Sequence, residues 1–276
     1  MPRPLTLVLA VAAAGLAAGF APSAGAAPRA RARSMVVVNE DEPIVDLADP
    51  DKGFGKVFVA GATSGVGRLV VDKLLAAGKK VVALARSDAA AAELEALDGV
   101  TVARGDALNI DTIEGPIDGC DAAISTLGGV DEATGARVDY KGSANVIEAA
   151  GIYGVSRIVL VTSVGCGESK AALAAATYDA LSEALEEKDK AERYLTKYYT
   201  NTLWTVVRPG GLSNDPPTGS AILTEDQTAI GSVSRADVAD LIVKQLDSPK
   251  AFQKIIACVD PTRAEGEAPT YAPFEC

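Results

Sequence analysis

The chain of 276 residues carries 37 acidic against 26 basic side chains, a formal net charge of −11, and 48% of its residues are hydrophobic. That length builds one large α/β domain or two small ones with a sizeable core, and the acidic balance argues against a nucleic-acid surface. There is no histidine, so acid–base chemistry falls to Tyr, Lys, Asp, Glu or the substrate, and no metal site is implied. The four cysteines, Cys120, Cys166, Cys258 and Cys276, are far apart without C-x-x-C spacing, which leaves their pairing open and suits buried thiols.

Leu5 to Leu16 are nearly all apolar, preceded by Arg3 and followed by Ala17-Ala18-Gly19. Residues 1–19 thus read as a secretory signal peptide, too short for a convincing membrane span. Residues 20–34 contain Arg29, Arg31 and Arg33, and no acidic residue precedes Glu40, the make-up of a plastid transit peptide. Together the two parts resemble the bipartite presequence of algae with secondary plastids, Gly19-Phe20-Ala21-Pro22 matching its phenylalanine motif. The expected location is a plastid, with secretion as the alternative, and the expected mature protein starts near Met35 without a stable membrane span. Residues 35–55 form a lead-in, exposed from Asn39 onward.

Val57-Phe58-Val59 suits a strand covered on both faces, and Leu69, Val70, Val71, Leu74 and Leu75 recur with helical spacing. Gly61-x-x-x-Gly65-x-Gly67 joins the two. A strand turning abruptly into a helix needs residues without a Cβ, and such a turn lets backbone N–H groups approach a phosphate. The spacing differs from the G-x-G-x-x-G fingerprint, and packing alone is the competing explanation. Gly61, Thr63, Ser64, Gly65, Val66, Gly67 and Arg68 are the candidate phosphate-side residues.

Gly78 suits a helix C-cap, and the second buried strand, Lys80 to Ala85, ends at Arg86. In a dinucleotide-binding architecture an acidic residue there selects NAD, whereas an arginine accommodates the 2′-phosphate of NADP. Arg86, helped by Arg68 and Ser87, therefore favours NADP(H) over NAD(H). A helix over Asp88 to Leu97 leads to a third strand, Val100 to Arg104, whose exit holds Asp106 and Ala107 for the adenine side. The fourth strand, Asp121 to Ser125, runs into Thr126, Leu127 and Gly128 on the ribose and pyrophosphate side. Plain turn chemistry is the alternative at both exits. A helix from Asp139 to Ala150 and a fifth strand, Arg157 to Val161, complete five strand–helix repeats. They imply a single doubly wound Rossmann domain, α/β with a mostly parallel sheet, over residues 56–260. A sixth strand over Leu203 to Val207 ends in Arg208-Pro209-Gly210-Gly211, placed at the nicotinamide end. Leu212 to Thr228 reads as an irregular, Pro- and Asp-bearing segment. Arg235 to Leu246 reads as an amphipathic helix with Ser234 as N-cap, Ile255 to Val259 as a last strand, and residues 261–276 as a loose tail.

The ordered motifs Val59 to Arg68, Arg104-Gly105-Asp106, Ser125 to Gly128, Asp139 to Ala150, Val159 to Gly165, Lys188 to Leu195, Trp204 to Leu212 and Ser234 to Ala239 resemble the short-chain dehydrogenase/reductase superfamily. The likeness is to its atypical members, and most of all to plastid reductase-like proteins, among them the dehydrogenase component of the chloroplast import apparatus. The resemblance implies an NADP(H)-dependent oxidoreductase acting on a small carbonyl or conjugated substrate. It matches Lys188 to the lysine beside the cofactor, Ser163 to the serine that steadies a substrate carbonyl, and Asn145 loosely to a helix asparagine. The tyrosine expected four residues before the lysine is replaced by Ala184, which leaves either Tyr178, reaching back from the loop or helix start, or water as the proton source. It also opens a second reading, a non-catalytic NADP(H)-binding redox sensor or assembly protein with a plastid protein partner.

Overall fold

Side-chain alternation decides where the first strand belongs. Strand β1 (Lys56–Ala60) turns Val57 and Val59 to one face and Phe58 and Ala60 to the other, all four at 0% exposure. Such a strand needs a layer on each side, and it lies inside an eight-stranded sheet. The computed structural model describes residues 53–132, 134–264 and 269–276. The signal- and transit-like segments and most of the lead-in lie outside them.

The further strands are β2 (Lys80–Ala85), β3 (Val100–Arg104), β4 (Ala122–Ser125), β5 (Arg157–Val161), β6 (Leu203–Pro209), β7 (Gly211–Ser213), β8 (Ile222–Thr224), β9 (Ser232–Ser234) and β10 (Lys254–Val259). The main sheet has the order β3-β2-β1-β4-β5-β6-β10-β8. It is parallel throughout except for β8, which runs antiparallel to β10. This is the doubly wound, Rossmann-like architecture. Helices α1 (Gly65–Ala76), α2 (Asp88–Glu95) and α6 (Arg235–Leu246) cover one face, where Val70, Leu74, Leu94, Ile242 and Leu246 meet Val57 and Val59. Helices α3 (Asp111–Ile117), α4 (Lys141–Ile152) and α5 (Ala175–Tyr198) cover the other, where Ile113, Ile147 and Leu195 meet Phe58. Among the described residues no helix is long and apolar enough to cross a membrane.

The fold departs from the sequence reading in four places. Helix α3 was not anticipated, because Gly115 and Pro116 lie within it and break the helical signal. Helix α4 starts two residues later than expected and runs to Ile152. The segment read as irregular contains β7 and β8, and β7 pairs in parallel with β9 as a separate two-stranded sheet; three-residue strands are too short to show a period. The end of the tail is also packed: the Phe274 amide donates to Leu223 O at 2.6 Å, and Phe274 and Cys276 lie against the core.

Candidate functional site

The exits of β1 to β6 line a single cleft of about 770 Å³. Neighbouring β1 and β4 continue into helices on opposite faces, so the chain diverges there and leaves a crevice, the place where open α/β sheets hold ligands.

The three turn glycines do different things. Gly61 has φ +87°, and a Cβ on it would run into Thr126. A Cβ on Gly67 would overlap the Gly61 carbonyl oxygen and the Thr126 hydroxyl. These two glycines let the turn, helix α1 and the β4 exit pack together. Gly65, with φ +56°, faces open cleft, the nearest atom to its missing Cβ being Arg235 Nε at 3.9 Å. Behind it, Arg68 N bonds Ser64 O at 3.1 Å, and Ser64 makes no side-chain cap. Among the described residues the amides of Gly65 and Val66 have no acceptor, no acidic residue occupies the first turn of α1, and both residues line the cleft together with Thr63 and Ser64. Unpaired amides at a helix start, reached over a residue without a Cβ, fit the pyrophosphate of a dinucleotide. Arg68 is ion-paired to Asp72 and does not line the cleft.

On the adenosine side Arg86 lines the cleft, and its guanidinium meets the carboxylate of Asp131. Asp131 is only 5% exposed, and its Oδ1 accepts from Thr134 N at 2.8 Å and Thr134 Oγ1 at 2.7 Å. Asp106 and Ala107 line the same end. Asp106 Oδ1 accepts from Leu108 N at 2.9 Å and so shapes its own turn. Asn145 Nδ2 donates to Ala107 O at 2.8 Å, bracing that turn from α4.

At the other end Thr126, Leu127 and Gly128 lie beside Lys188. Lys188 Nζ donates to Leu127 O at 3.1 Å and pairs with Asp139 Oδ1 at 3.0 Å. Asp139 is buried and also takes Arg137 Nη2 at 3.1 Å and the Gly129 amide at 3.2 Å. The lysine is thus held rigidly at the cleft wall. Ser163 lines the cleft, its hydroxyl donating to Val164 O at 2.9 Å. Pro209, Gly210 and Gly211 complete the floor, and a Cβ on Gly210 would overlap Gly231 O.

Like Arg68, two further expected residues stand outside the cleft. Tyr178, in the first turn of α5, has the Lys170 ammonium 3.9 Å over its ring and does not line the cleft; the α5 residue that does, besides Lys188, is Leu181. Arg208 is 3% exposed and points into the protein, where its Nη2 and Nε reach Glu192 at 2.6 and 3.1 Å and its Nη1 reaches Gln227 Oε1 at 2.6 Å. Its strand position brings it to the β6 exit, but its side chain is held by Glu192, one turn beyond Lys188 on α5, and does not line the cleft. The sequence reading gave no role to Asp131, Asp139, Leu181 or Arg235, all in the cleft or supporting its lining. Arg235 is the second residue of the Ser234-Arg235-Ala236-Asp237 motif and was visible; Asp131 and Leu181 carried no local signal.

The comparisons agree with this geometry. A family model described as NAD(P)H-binding matches residues 61–249. A chloroplastic protein of Arabidopsis thaliana is 34% identical over 229 residues, covering 78% of each chain. Protein TIC 62 of Pisum sativum, also chloroplastic, is 29% identical over 265 residues, 86% of this chain but 48% of that longer protein. Among solved structures, the anaerobilin reductase ChuY of Escherichia coli superposes with a TM-score of 0.68 at 31% identity, over 76% of this chain and 99% of its own.

Proposed function

This chain belongs to the NAD(P)H-binding family, and from that premise we propose that it is a plastid NADP(H)-dependent oxidoreductase acting on a small carbonyl or conjugated substrate. The observation that carries the reading is the single cleft, which joins the open Gly65 turn, Arg86 and the anchored Lys188 along one line of strand exits. The nicotinamide supplies the hydride chemistry when bound. The amides of Gly65 and Val66 hold the pyrophosphate, Arg86 takes the 2′-phosphate, and Lys188 donates to ribose hydroxyls from a position fixed by Asp139 and Leu127 O. Gly210 and Gly211 bring bare backbone to the nicotinamide end. The Ser163 hydroxyl rotates from Val164 O to a substrate carbonyl oxygen, with Leu181 and Leu212 as the apolar wall. With alanine at position 184, solvent or the substrate supplies the proton. The chloroplastic relatives support the plastid, and the relative named a reductase supports reduction as the chemistry.

A specific observation favours a second reading, a cofactor-binding redox sensor or assembly protein: Ala184 offers no proton donor on the α5 face that carries Lys188. The test is a turnover screen with NADPH deuterated at nicotinamide C4, offered quinones, enals, flavins and tetrapyrroles. The first reading expects deuterium in a reduced product, cofactor affinity weakened roughly tenfold in Lys188→Met, and a rate within about twofold of wild type in Tyr178→Phe. Binding without transfer to any acceptor selects the second reading. No rise in nicotinamide fluorescence at millimolar NADPH removes both.

A further inference from the structure

Arg235 stands apart from the other described arginines. Arg68, Arg86, Arg104, Arg137, Arg193, Arg208 and Arg263 each face a carboxylate, and Arg157 is buried against main-chain carbonyls. Arg235 lines the cleft with no carboxylate partner among the described residues. A guanidinium left unneutralised in a cleft of a strongly acidic protein has a place for an anion beside it.

The fold positions this side chain in three ways. The β7–β9 pair matches Ser213 with Ser234, so the next residues, Asn214 and Arg235, leave side by side. Asn214 Oδ1 accepts from Arg235 Nη1 at 2.8 Å and steers the fork, leaving Nε and Nη2 uncommitted. Ser234 caps α6, its Oγ accepting from Asp237 N at 3.0 Å, and so sets the backbone from which Arg235 projects. The outcome is Nε 3.9 Å from where a Gly65 side chain would begin, beside the unpaired amides at the start of α1, against which α6 packs.

We infer that Arg235, oriented by Asn214, is a second phosphate-binding group of the cofactor site, reaching the dinucleotide pyrophosphate from α6, the neighbour of α1 on the same face of the sheet. The assignment deepens the NADP(H) reading and rests on it. It also links the segment after β6, which carries the Leu212 wall, to cofactor occupancy through the Asn214 contact.

Both NADPH and NADH carry the pyrophosphate, whereas adenosine 2′-monophosphate carries only the phosphate assigned to Arg86. The experiment titrates wild type, Arg235→Ala, Arg235→Lys and Arg86→Ala with all three, the nucleotide monophosphate by competition against NADPH. Arg235→Ala is expected to raise the Kd of NADPH and NADH by the same factor, roughly 10- to 100-fold, and to leave the monophosphate within about twofold. Arg235→Lys regains part of the loss. An NADPH Kd within twofold of wild type overturns the inference, as does an equal loss for the monophosphate or a change confined to substrate KM. Thermal melts of the variants exclude unfolding as the cause. Arg86→Ala separates the two claims: if it spares NADPH and the monophosphate, the 2′-phosphate assignment fails while the Arg235 result is still read from NADH.

Discussion

Replacing Glu192 by alanine removes the carboxylate facing Arg208 in a pocket where the two residues are 3% exposed each. Arg208 then loses its Nη2 contact at 2.6 Å and its Nε contact at 3.1 Å, and Thr162 Oγ1 loses its acceptor at 2.5 Å. Gln227 Oε1 at 2.6 Å and Ser169 Oγ at 3.5 Å remain, neither of them charged. Breaking a buried ion pair by removing one partner costs about 3–5 kcal/mol, because the remaining charge is uncompensated. At about 2–4 °C per kcal/mol for a domain of this size, the melting temperature falls by roughly 10 °C. The assay is urea and thermal unfolding followed by circular dichroism. The double variant Glu192→Leu/Arg208→Met, which removes both charges, should recover to within about 2 kcal/mol of wild type and keep its NADPH affinity. A loss below about 1 kcal/mol in Glu192→Ala, or a double variant as unstable as the single, refutes the buried-charge argument.

Gly67→Ala drives a Cβ into the Gly61 carbonyl and should abolish NADPH binding with a stability loss of about 1–3 kcal/mol. Gly65→Ala meets only the Arg235 guanidinium, at van der Waals distance, with φ +56°, so it should lose only about 1–2 kcal/mol yet bind cofactor more weakly; comparable NADPH titrations for the two would contradict these separate roles. Asp131→Asn leaves the acceptor for Thr134 but frees Arg86 from its competing carboxylate, so NADPH should bind roughly two- to fivefold tighter, a modest factor because Arg86 is half exposed; weaker binding in the titration counts against Arg86 as the 2′-phosphate group. Burial pushes the Cys120 thiol up to about 11 and Cys166 up to about 12, and raises Cys258 and Cys276 as well. At pH 8 a thiol reagent should therefore label native protein slowly and first at Cys276, the cysteine that is not fully enclosed, whereas two fast-reacting thiols would show the packing to be wrong.

The extent of the legible part follows from how far each signal reaches along the chain. Ser234 and the apolar spacing after it defined α6 from Arg235 to Leu246, because a cap and a helical stripe are local. Gly61, Gly65, Gly67 and Arg86 were read at their strand exits for the same reason, since in a parallel sheet every exit faces the same edge. By contrast, Arg208 was placed among the cofactor residues by its exit position, yet strand alternation and the buried Glu192 turned it inward. Tyr178 was advanced because it was the tyrosine nearest the missing position, but the helical phase of α5 gives that stretch of the cleft to Leu181 and Lys188.

The sequence by itself determined the order of the strands from β1 to β6, the glycine turn, the cofactor class and the absence of a tyrosine at position 184, because each is written in neighbouring residues. Tertiary structure alone decided which charges are free. Whether an arginine meets a carboxylate depends on residues tens of positions away, as with Asp131 and Arg86 or Asp215 and Arg263. That pairing silences Arg208 and leaves Arg235 beside Gly65 at the cleft.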